Sequence, residues 1–309
     1  MGSRGNTDGM TVGVDFDFAR YISMRRGAIE EQARGGAVYG FVGERKVRRT
    51  LAAARPVTMA LEATTRFWRD VARAELLGTS VKVTGEQYPR VYEAARRAGA
   101  ALGVRVPPVF VAPGKGTVKA RVLGTDDAPY LVVGAEWADA LSEDELTALL
   151  GHELAHVQNG HVLYTTALYY LSHSAVFFVR WIVQPAIMTL QAWSRRAEIT
   201  CDRAALVATR DLGITLAALV KVELGIERGT SFNLDDYLRE QDAAIAGTRR
   251  GLGRYTELFR SHPYLPKRVA ALRLFADSAL YASLTGASPE GKMALKDVDA
   301  KVGELISVF

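Results

Sequence analysis

The pattern of apolar and polar residues divides the chain into a helical N-terminal part, a short β-rich stretch and a long helical part. Apolar residues recur with helical spacing over residues 44–77, and Gly78 is expected to end that helix. A second helix is predicted over residues 86–102, closed by Gly103. Helical patterning dominates again from Ser142 to about residue 275.

Three short runs between these helical parts have strand-like sequences. They are Val109–Ala112, Thr117–Leu123 and Tyr130–Val133, and turn residues rich in Gly, Pro and Asp separate them. We therefore expect a mainly α protein with a small antiparallel β-sheet of three strands, which places the chain in the α+β fold class.

Composition narrows the class of protein further. The chain has 309 residues, of which 49% are apolar and 24% are charged, as in an ordinary globular protein. The single cysteine, Cys201, excludes an intramolecular disulfide, and the first residues lack the apolar core of a signal peptide. We expect a cytoplasmic protein.

The net charge is +5, and much of the arginine excess lies in the first hundred residues. Such a basic segment either binds an anionic membrane surface or an acidic partner, or it forms a solvated helix face, which is the more frequent case. No base-reading motif or cluster of stacking aromatic residues accompanies the basic residues. No nucleic acid partner is therefore predicted.

The helix expected after Ser142 has clear boundaries. Ser142 and Glu145 form a capping box, in which each side chain satisfies a backbone amide of the other residue. Asn159-Gly160 provides a C-terminal cap. The sequence between these caps is thus predicted to be one continuous helix of about four turns.

This helix contains the strongest chemical signal in the chain. His152 and His156 are four residues apart, so both imidazoles point from one face of the helix toward one ion. Neutral imidazole suits Zn²⁺, and a catalytic zinc site keeps one position for water. Glu153 stands beside the first histidine, where its carboxylate can take a proton from that water.

A third protein ligand is needed, and Glu198 is the candidate. Glu198 and Asp202 are four residues apart in a segment with helical patterning, so they share one face. Glu198 would bind the metal, and Asp202 would accept a hydrogen bond from a ligand imidazole and fix its tautomer. The alternative is that both carboxylates pair with Arg195 and Arg203 on a surface helix.

The remaining three histidines differ in whether they suit a role in the site. His161 lies five residues after His156, off the ligand face, and His173 lies in an apolar run, so both are interpreted as structural. His262 precedes Pro263 in a rigid turn before a new helix. A histidine in such a place either stabilises the oxyanion of a tetrahedral intermediate or is an ordinary turn residue.

In their order along the chain, these segments resemble the HtpX-like and CAAX-prenyl-protease-like zinc metallopeptidases, a branch of the gluzincins. The resemblance spans residues 107–275 and is carried by PPVFVAPGKG, GTDDAPYLVV, LSEDELTALLGHELAHVQNGH, AEITCDRAAL and SHPYLPKRVAAL. It implies a zincin-type core with one Zn²⁺ per chain. It also implies His152, His156 and Glu198 as the metal ligands and Glu153 as the catalytic acid and base.

The resemblance further implies that an extended substrate pairs with a sheet edge near the metal. Residues 117–123 or residues 130–133 are the two candidates for that edge. The chain departs from the family at Val118-Lys119-Ala120-Arg121, where members often carry an Asn-Ala pair.

Residues 162–193 are apolar enough to raise the question of a membrane span. Because His156 and Glu198 must reach the same ion, the number of crossings between them is zero or two, and two crossings need about forty apolar residues. The stretch is shorter and is interrupted by Arg180 and Gln184-Pro185. We expect a buried helical hairpin broken at Gln184-Pro185, or a patch that dips into one leaflet.

The chain is therefore divided into a disordered tail (1–14), an N-terminal helical region (15–80), a zinc metallopeptidase domain (81–275) and a C-terminal helix and tail (276–309). The predicted function is that of a zinc-dependent endopeptidase acting on peptides or misfolded proteins. Residues 15–80 are interpreted as a lid or pro-segment. The alternative is a non-proteolytic or latent zinc-binding scaffold that acts through this N-terminal region.

Overall fold

A computed structural model describes residues 36–51, 55–113, 119–173, 177–226, 232–247 and 260–307. Several predictions fall partly or wholly outside the described residues. They include the disordered tail at 1–14, the first part of the proposed lid at 15–35, and the turn and strand start at 114–118.

The described residues are mainly helical, which confirms the predicted fold class. The α-helices are α1 (Val42–Leu51), α2 (Arg55–Phe67), α3 (Arg73–Thr79), α4 (Pro89–Leu102), α5 (Ala135–Ala140), α6 (Glu143–Gln158), α7 (Val162–His173), α8 (Phe177–Thr209), α9 (Leu212–Leu224), α10 (Leu234–Gly247), α11 (Leu265–Ala276), α12 (Ala279–Thr285) and α13 (Leu295–Ile306). A π-helical turn, Trp68–Ala72, joins α2 to α3.

The sheet has four strands among the described residues, in the order β1-β2-β4-β3. The strands are β1 (Val81–Lys82), β2 (Val109–Ala112), β3 (Ala120–Thr125) and β4 (Ala128–Gly134). β4 pairs antiparallel with β3 but parallel with β2.

The prediction of three antiparallel strands is therefore wrong in strand number and pairing. β1 has two residues, too few to show a period-two pattern. β4 takes a central position because Leu131, Val132 and Val133 are apolar on both faces and are all at most 1% exposed. Of the two predicted substrate edges, residues 130–133 are thus internal to the sheet, and only β3 lies at an edge.

The helix predicted from the capping box is confirmed as α6. The Ser142 side chain accepts a hydrogen bond from the Glu145 amide, and the Glu145 carboxylate accepts one from the Ser142 amide. The helix ends at Gln158, and Gly160 follows with a left-handed φ of 65°. Leu146, Leu150 and Leu154 lie on one face of α6, and all three are completely buried in the main core.

Helix α8 packs directly against α6. The two backbones approach closely at Gly151, where an added Cβ would lie 2.8 Å from the Cβ of Ala208. Only glycine permits this approach without a shift of one helix. The contact sets the distance between the two helices that carry the predicted metal ligands.

The hairpin formed by α7 and α8 corresponds to the apolar stretch 162–193. The predicted break at Gln184-Pro185 is wrong, because α8 begins at Phe177 and continues through Pro185 to Thr209. Pro185 lacks an N–H, so α8 has one backbone hydrogen bond fewer at this point. Within the part of the chain that the structure describes, no helix is both long and apolar enough to cross a membrane.

One side of the N-terminal helical region packs against the rest of the protein. The single helix predicted over residues 44–77 is divided into α1, α2, the π-turn and α3. Buried side chains recur along it, and Trp68 packs against Tyr130 of β4 with a ring-centroid distance of 5.8 Å. The buried residues of α2 and the π-turn are Val57, Ala60, Thr64, Trp68 and Ala72.

Candidate metal centre and active site

Helix α6 presents both predicted histidine ligands to the same carboxylate of α8. His152 Nε2 lies 3.4 Å from Oε2 of Glu198, and His156 Nε2 lies 3.8 Å from Oε1. The Nδ1 atoms of the two rings face other partners, Asp202 and His161. The two Nε2 atoms are therefore the nitrogens that face a common point with Glu198.

These distances suit a zinc ion. Ligand atoms bound at about 2.0–2.1 Å to a tetrahedral ion are separated by about 3.3 Å. The 3.4 and 3.8 Å separations are close to this value, and two imidazoles with one carboxylate are a donor set that Zn²⁺ prefers. His152, His156 and Glu198 therefore fit one zinc ion.

Asp202, which is also on α8, contacts the Nδ1 side of the His152 ring. Its Oδ1 lies 3.1 Å from His152 Nδ1. Burial raises the pKa of Asp202, but Arg268 and His152 outweigh burial and hold the pKa below its usual value. The ionised carboxylate accepts the Nδ1 proton and leaves Nε2 to a metal.

Arg268 pairs with the acidic residues of the centre, a role that could not be predicted from the sequence. It donates two hydrogen bonds to Asp202, at 2.8 and 2.6 Å, and contacts Glu198 at 3.2 Å. A further hydrogen bond of 2.9 Å reaches Glu223 on α9. A buried cation that pairs with several carboxylates offsets the cost of burying their charges.

The charges of the ligands follow from these neighbours. Burial lowers the pKa of His152, but Glu198 and Asp202 outweigh burial and raise it to about 10. Burial lowers the pKa of His156 well below its usual value, so this ring is neutral. Burial raises the pKa of Glu198, but His262, His152 and Arg268 together hold the pKa well below its usual value.

Glu153 lies beside His152 at the wall of an adjoining cleft. The cleft is also lined by Arg121 and Val122 of β3. Burial raises the pKa of Glu153, although the charges of His152 and Arg121 act in the opposite direction. A carboxylate with a raised pKa can accept a proton and return it near neutral pH.

His262 is also brought to the cleft. Its Nε2 lies 3.5 Å from Oε2 of Glu198, and its Nδ1 is 2.8 Å from Oγ of Ser261. The side chain is 39% exposed, more than either histidine of α6. A histidine so placed can reach both the metal centre and a bound substrate.

Cys201 is a second candidate for the third ligand position. Its sulfur and one nitrogen from each of His152 and His156 lie within 4.8 Å of one another. Burial and the nearby carboxylates of Glu198 and Glu153 raise the pKa of the Cys201 thiol well above its usual value. Because metals bind the thiolate, the ionised Glu198 is the better ligand.

The prediction that His161 lies away from the ligands is wrong. The ring is completely buried, and its Nδ1 lies 3.2 Å from Nδ1 of His156. The prediction assumed that the helix continues from His156 to His161. Gly160 instead has a left-handed φ of 65°, and the chain turns back there toward the end of α6. The side chain of His173 lies outside the described residues.

The cleft runs along the edge strand of the sheet. Ala120, Arg121 and Val122 of β3 line one wall, and Tyr169 of α7 lines another. The Arg121 guanidinium lies 4.5 Å from the centre of the Tyr169 ring, which fixes both side chains at the cleft wall. An edge strand offers backbone groups that an extended chain can pair with.

Comparison with known families identifies the class of enzyme. Residues 87–276, more than half of the chain, match the model of Peptidase family M48. The chain belongs to this family. The resemblance to HtpX-like zinc metallopeptidases is confirmed.

Similar proteins come from plants, bacteria and archaea. The chain is 27% identical over 218 residues to plastoglobule-localized metallopeptidase 48 of Arabidopsis thaliana, covering 68% of this chain and 63% of the relative. It is 27% identical over 208 residues to the protease HtpX of Xylella fastidiosa strain M12, covering 59% and 71%. An HtpX homologue of Methanosarcina mazei is 28% identical over 169 residues, covering 43% and 54%.

The matches leave part of each protein uncovered. The chain spans less than two thirds of the Arabidopsis relative's length. The M48 match begins at residue 87, so α1, α2 and α3 lie outside it. No solved structure matches the chain at a significant level.

Proposed function

We propose that this M48 metallopeptidase is a zinc-dependent endopeptidase that hydrolyses peptides or misfolded proteins. The observation that best supports this function is the convergence of His152, His156 and Glu198 at a spacing suited to zinc, with Glu153 beside them. When bound, zinc would polarise the scissile carbonyl and lower the pKa of a water.

The residues around this point divide the work of hydrolysis. Glu153 accepts a proton from the attacking water and delivers it to the leaving amine. His262 offers Nε2 to the oxygen on which negative charge develops. Asp202 holds His152 in the tautomer that binds metal through Nε2.

The substrate would bind as an added strand along β3. Ala120–Val122 is the part of this edge that lines the cleft, so a peptide paired there would pass across Glu153. Backbone pairing needs an extended chain and reads little of its sequence. Unfolded segments are therefore the substrate class that this geometry favours.

The test combines zinc content with cleavage of casein, an unfolded protein, by wild type, Glu153→Gln and Glu198→Ala. Wild type should hold about one zinc per chain and cleave. Glu153→Gln should keep zinc and lose at least about 100-fold in rate, because general acid–base catalysis contributes about that much. Glu198→Ala should lose zinc. Glu93→Gln, at an exposed carboxylate on α4, is the matched control and should keep both.

Two results would contradict the proposal. A wild-type protein that binds no metal would remove its basis. A wild-type protein that binds zinc and cleaves nothing would favour the alternative, a latent or non-proteolytic zinc-binding scaffold acting through its N-terminal helices. The lid prediction for residues 15–80 is a refinement of the endopeptidase proposal. Removing residues 1–35 tests its first part and keeps Tyr39 and Phe41, which are buried in the core; turnover should rise, and unchanged or lost activity in a folded truncation would count against the lid.

We also propose that the protein is cytoplasmic and contacts an anionic membrane surface through α2 and α3. Besides its buried side, this segment has an exposed apolar stripe with a spacing of four residues. The stripe consists of Met59, Ala63, Phe67 and Val71, and Arg66, Arg69 and Arg73 are exposed beside it. A helical segment with apolar and basic residues on its outer side suits the interface of an anionic bilayer.

A further inference from the structure

Two buried side chains connect the ligand His156 to helix α1. His161 is completely buried, and its Nδ1 lies 3.2 Å from Nδ1 of His156. On its other side, His161 Nε2 lies 3.3 Å from Oε1 of Glu44. Glu44 is 1% exposed and belongs to α1, which lies outside the M48 match.

The direction of the hydrogen bonds from His156 through His161 to Glu44 follows from metal binding at Nε2 of His156. A neutral His156 that binds zinc through Nε2 carries its proton on Nδ1, and this N–H donates to Nδ1 of His161. His161 then carries its own proton on Nε2. Among the described residues, that nitrogen makes no hydrogen bond of good geometry, and the Glu44 carboxylate, 3.3 Å away, is the charged acceptor that it faces.

The surroundings of Glu44 suit a charged acceptor. The indole Nε1 of Trp193 donates a hydrogen bond of 3.1 Å to Oε1, and Arg48 Nε lies 3.7 Å from the same oxygen. Burial raises the pKa of Glu44, but His161, Arg48 and Trp193 outweigh burial and lower it below its usual value.

Each of the two ligand histidines is thus linked through its Nδ1 to a buried carboxylate. Asp202 contacts His152 directly, and Glu44 reaches His156 through His161. Building on the proposed zinc site, we propose that Glu44 and His161 are positioning residues that hold His156 ready for metal. Helix α1 is then a working part of the metal centre, and a chain that lacks it has an incomplete site.

The experiment measures the zinc dissociation constant of the full chain by competition with a chromophoric chelator, with no reference to activity. Glu44→Gln and His161→Leu should weaken zinc binding by about 10–100-fold, the usual effect of removing a residue that supports a ligand. His161→Asn should recover much of the loss, because its amide oxygen can accept the Nδ1 proton of His156.

Asp299→Asn is the matched control. Asp299 is another buried carboxylate that anchors α1, since it accepts the Val42 amide at 3.2 Å, and it also pairs with Arg203. Among the described residues it contacts neither His156 nor His161, so Asp299→Asn removes one anchor of α1 but keeps the Glu44 carboxylate, and zinc binding should weaken much less than in Glu44→Gln. Unfolding with chelator present reports whether each variant is folded.

The outcomes separate this proposal from the proposed function. If Glu44→Gln binds zinc within about threefold of wild type, or Asp299→Asn weakens zinc equally, the positioning role is wrong and Glu44 only anchors α1. A folded His161→Leu with wild-type affinity overturns it independently. A wild-type protein that binds zinc without cleaving would defeat the endopeptidase proposal alone.

Discussion

At the scale of single residues, the charge of His152 is the feature with the clearest consequence. Its pKa of about 10 means that the ring is protonated at neutral pH when no metal is bound, because Glu198 and Asp202 stabilise the cation. A metal binds only the neutral ring. Zinc and a proton therefore compete for the same nitrogen.

We predict that zinc binding at pH 7 releases about one proton from the site. Because the raised pKa of His152 keeps its ring protonated throughout pH 6–8, zinc affinity should fall about tenfold for each pH unit of acidification in this range. Calorimetry in buffers with different ionisation enthalpies counts the released protons. A count near zero would mean that His152 is already neutral in the metal-free protein.

Candidate site residues could be predicted from the sequence where two of them share one face of the same helix. His152, His156, Glu198 and Asp202 could be placed from their spacing, because positions four apart on a helix share a face. Arg268, His161 and Glu44 could not be assigned in the same way. Their contacts join distant segments, and hydrophobic periodicity carries no information about which segments meet.

At the scale of elements, the distance between α6 and α8 decides whether the ligands meet. The close contact at Gly151 brings together the helix with both histidines and the helix with Glu198. Capping signals gave the boundaries of α6 correctly from sequence. The sheet was less predictable, because β4 could pair with either neighbour and only burial on both faces places it between β2 and β3.

We predict that Gly151→Ala forces α6 and α8 apart, because the new Cβ would lie 2.8 Å from Ala208. The free energy of unfolding without metal should fall by about 1–3 kcal/mol, as for other overpacked cores, and zinc affinity should weaken. Urea unfolding and chelator competition measure the two effects.

The control for this change is Gly303→Ala in α13, where an added Cβ meets no atom within 4 Å. This variant should be unchanged or stabilised by up to about 1 kcal/mol, since alanine is the better helix former. Equal stability of the two variants would show that a Cβ at residue 151 fits between α6 and α8 without steric overlap.

At the scale of the whole molecule, the N-terminal helices have two apolar sides. Val57, Ala60 and Trp68 pack into the protein, whereas Phe67 and Val71 face outward at 42% and 50% exposure. The sequence showed an amphipathic basic region but could not show which apolar residues are buried. That distinction depends on where α7 and β4 pack.

We predict that the wild-type protein sediments with vesicles that contain anionic phosphatidylglycerol, and less with vesicles of phosphatidylcholine alone. The double variant Phe67→Ser with Val71→Ser should lose most of this binding, because each exposed apolar side chain contributes about 1.5–3 kcal/mol when buried. Leu224→Ser, at an exposed leucine of α9, should bind like wild type. Equal loss in both variants would locate the contact elsewhere.

The assembly of the centre also has a consequence for biosynthesis. Glu44 stands early in the chain, whereas His262 and Arg268, which contact Glu198, stand late. During translation the α6 histidines leave the ribosome well before these late residues. We therefore expect a nascent chain to remain without a finished site until most of it has been synthesised.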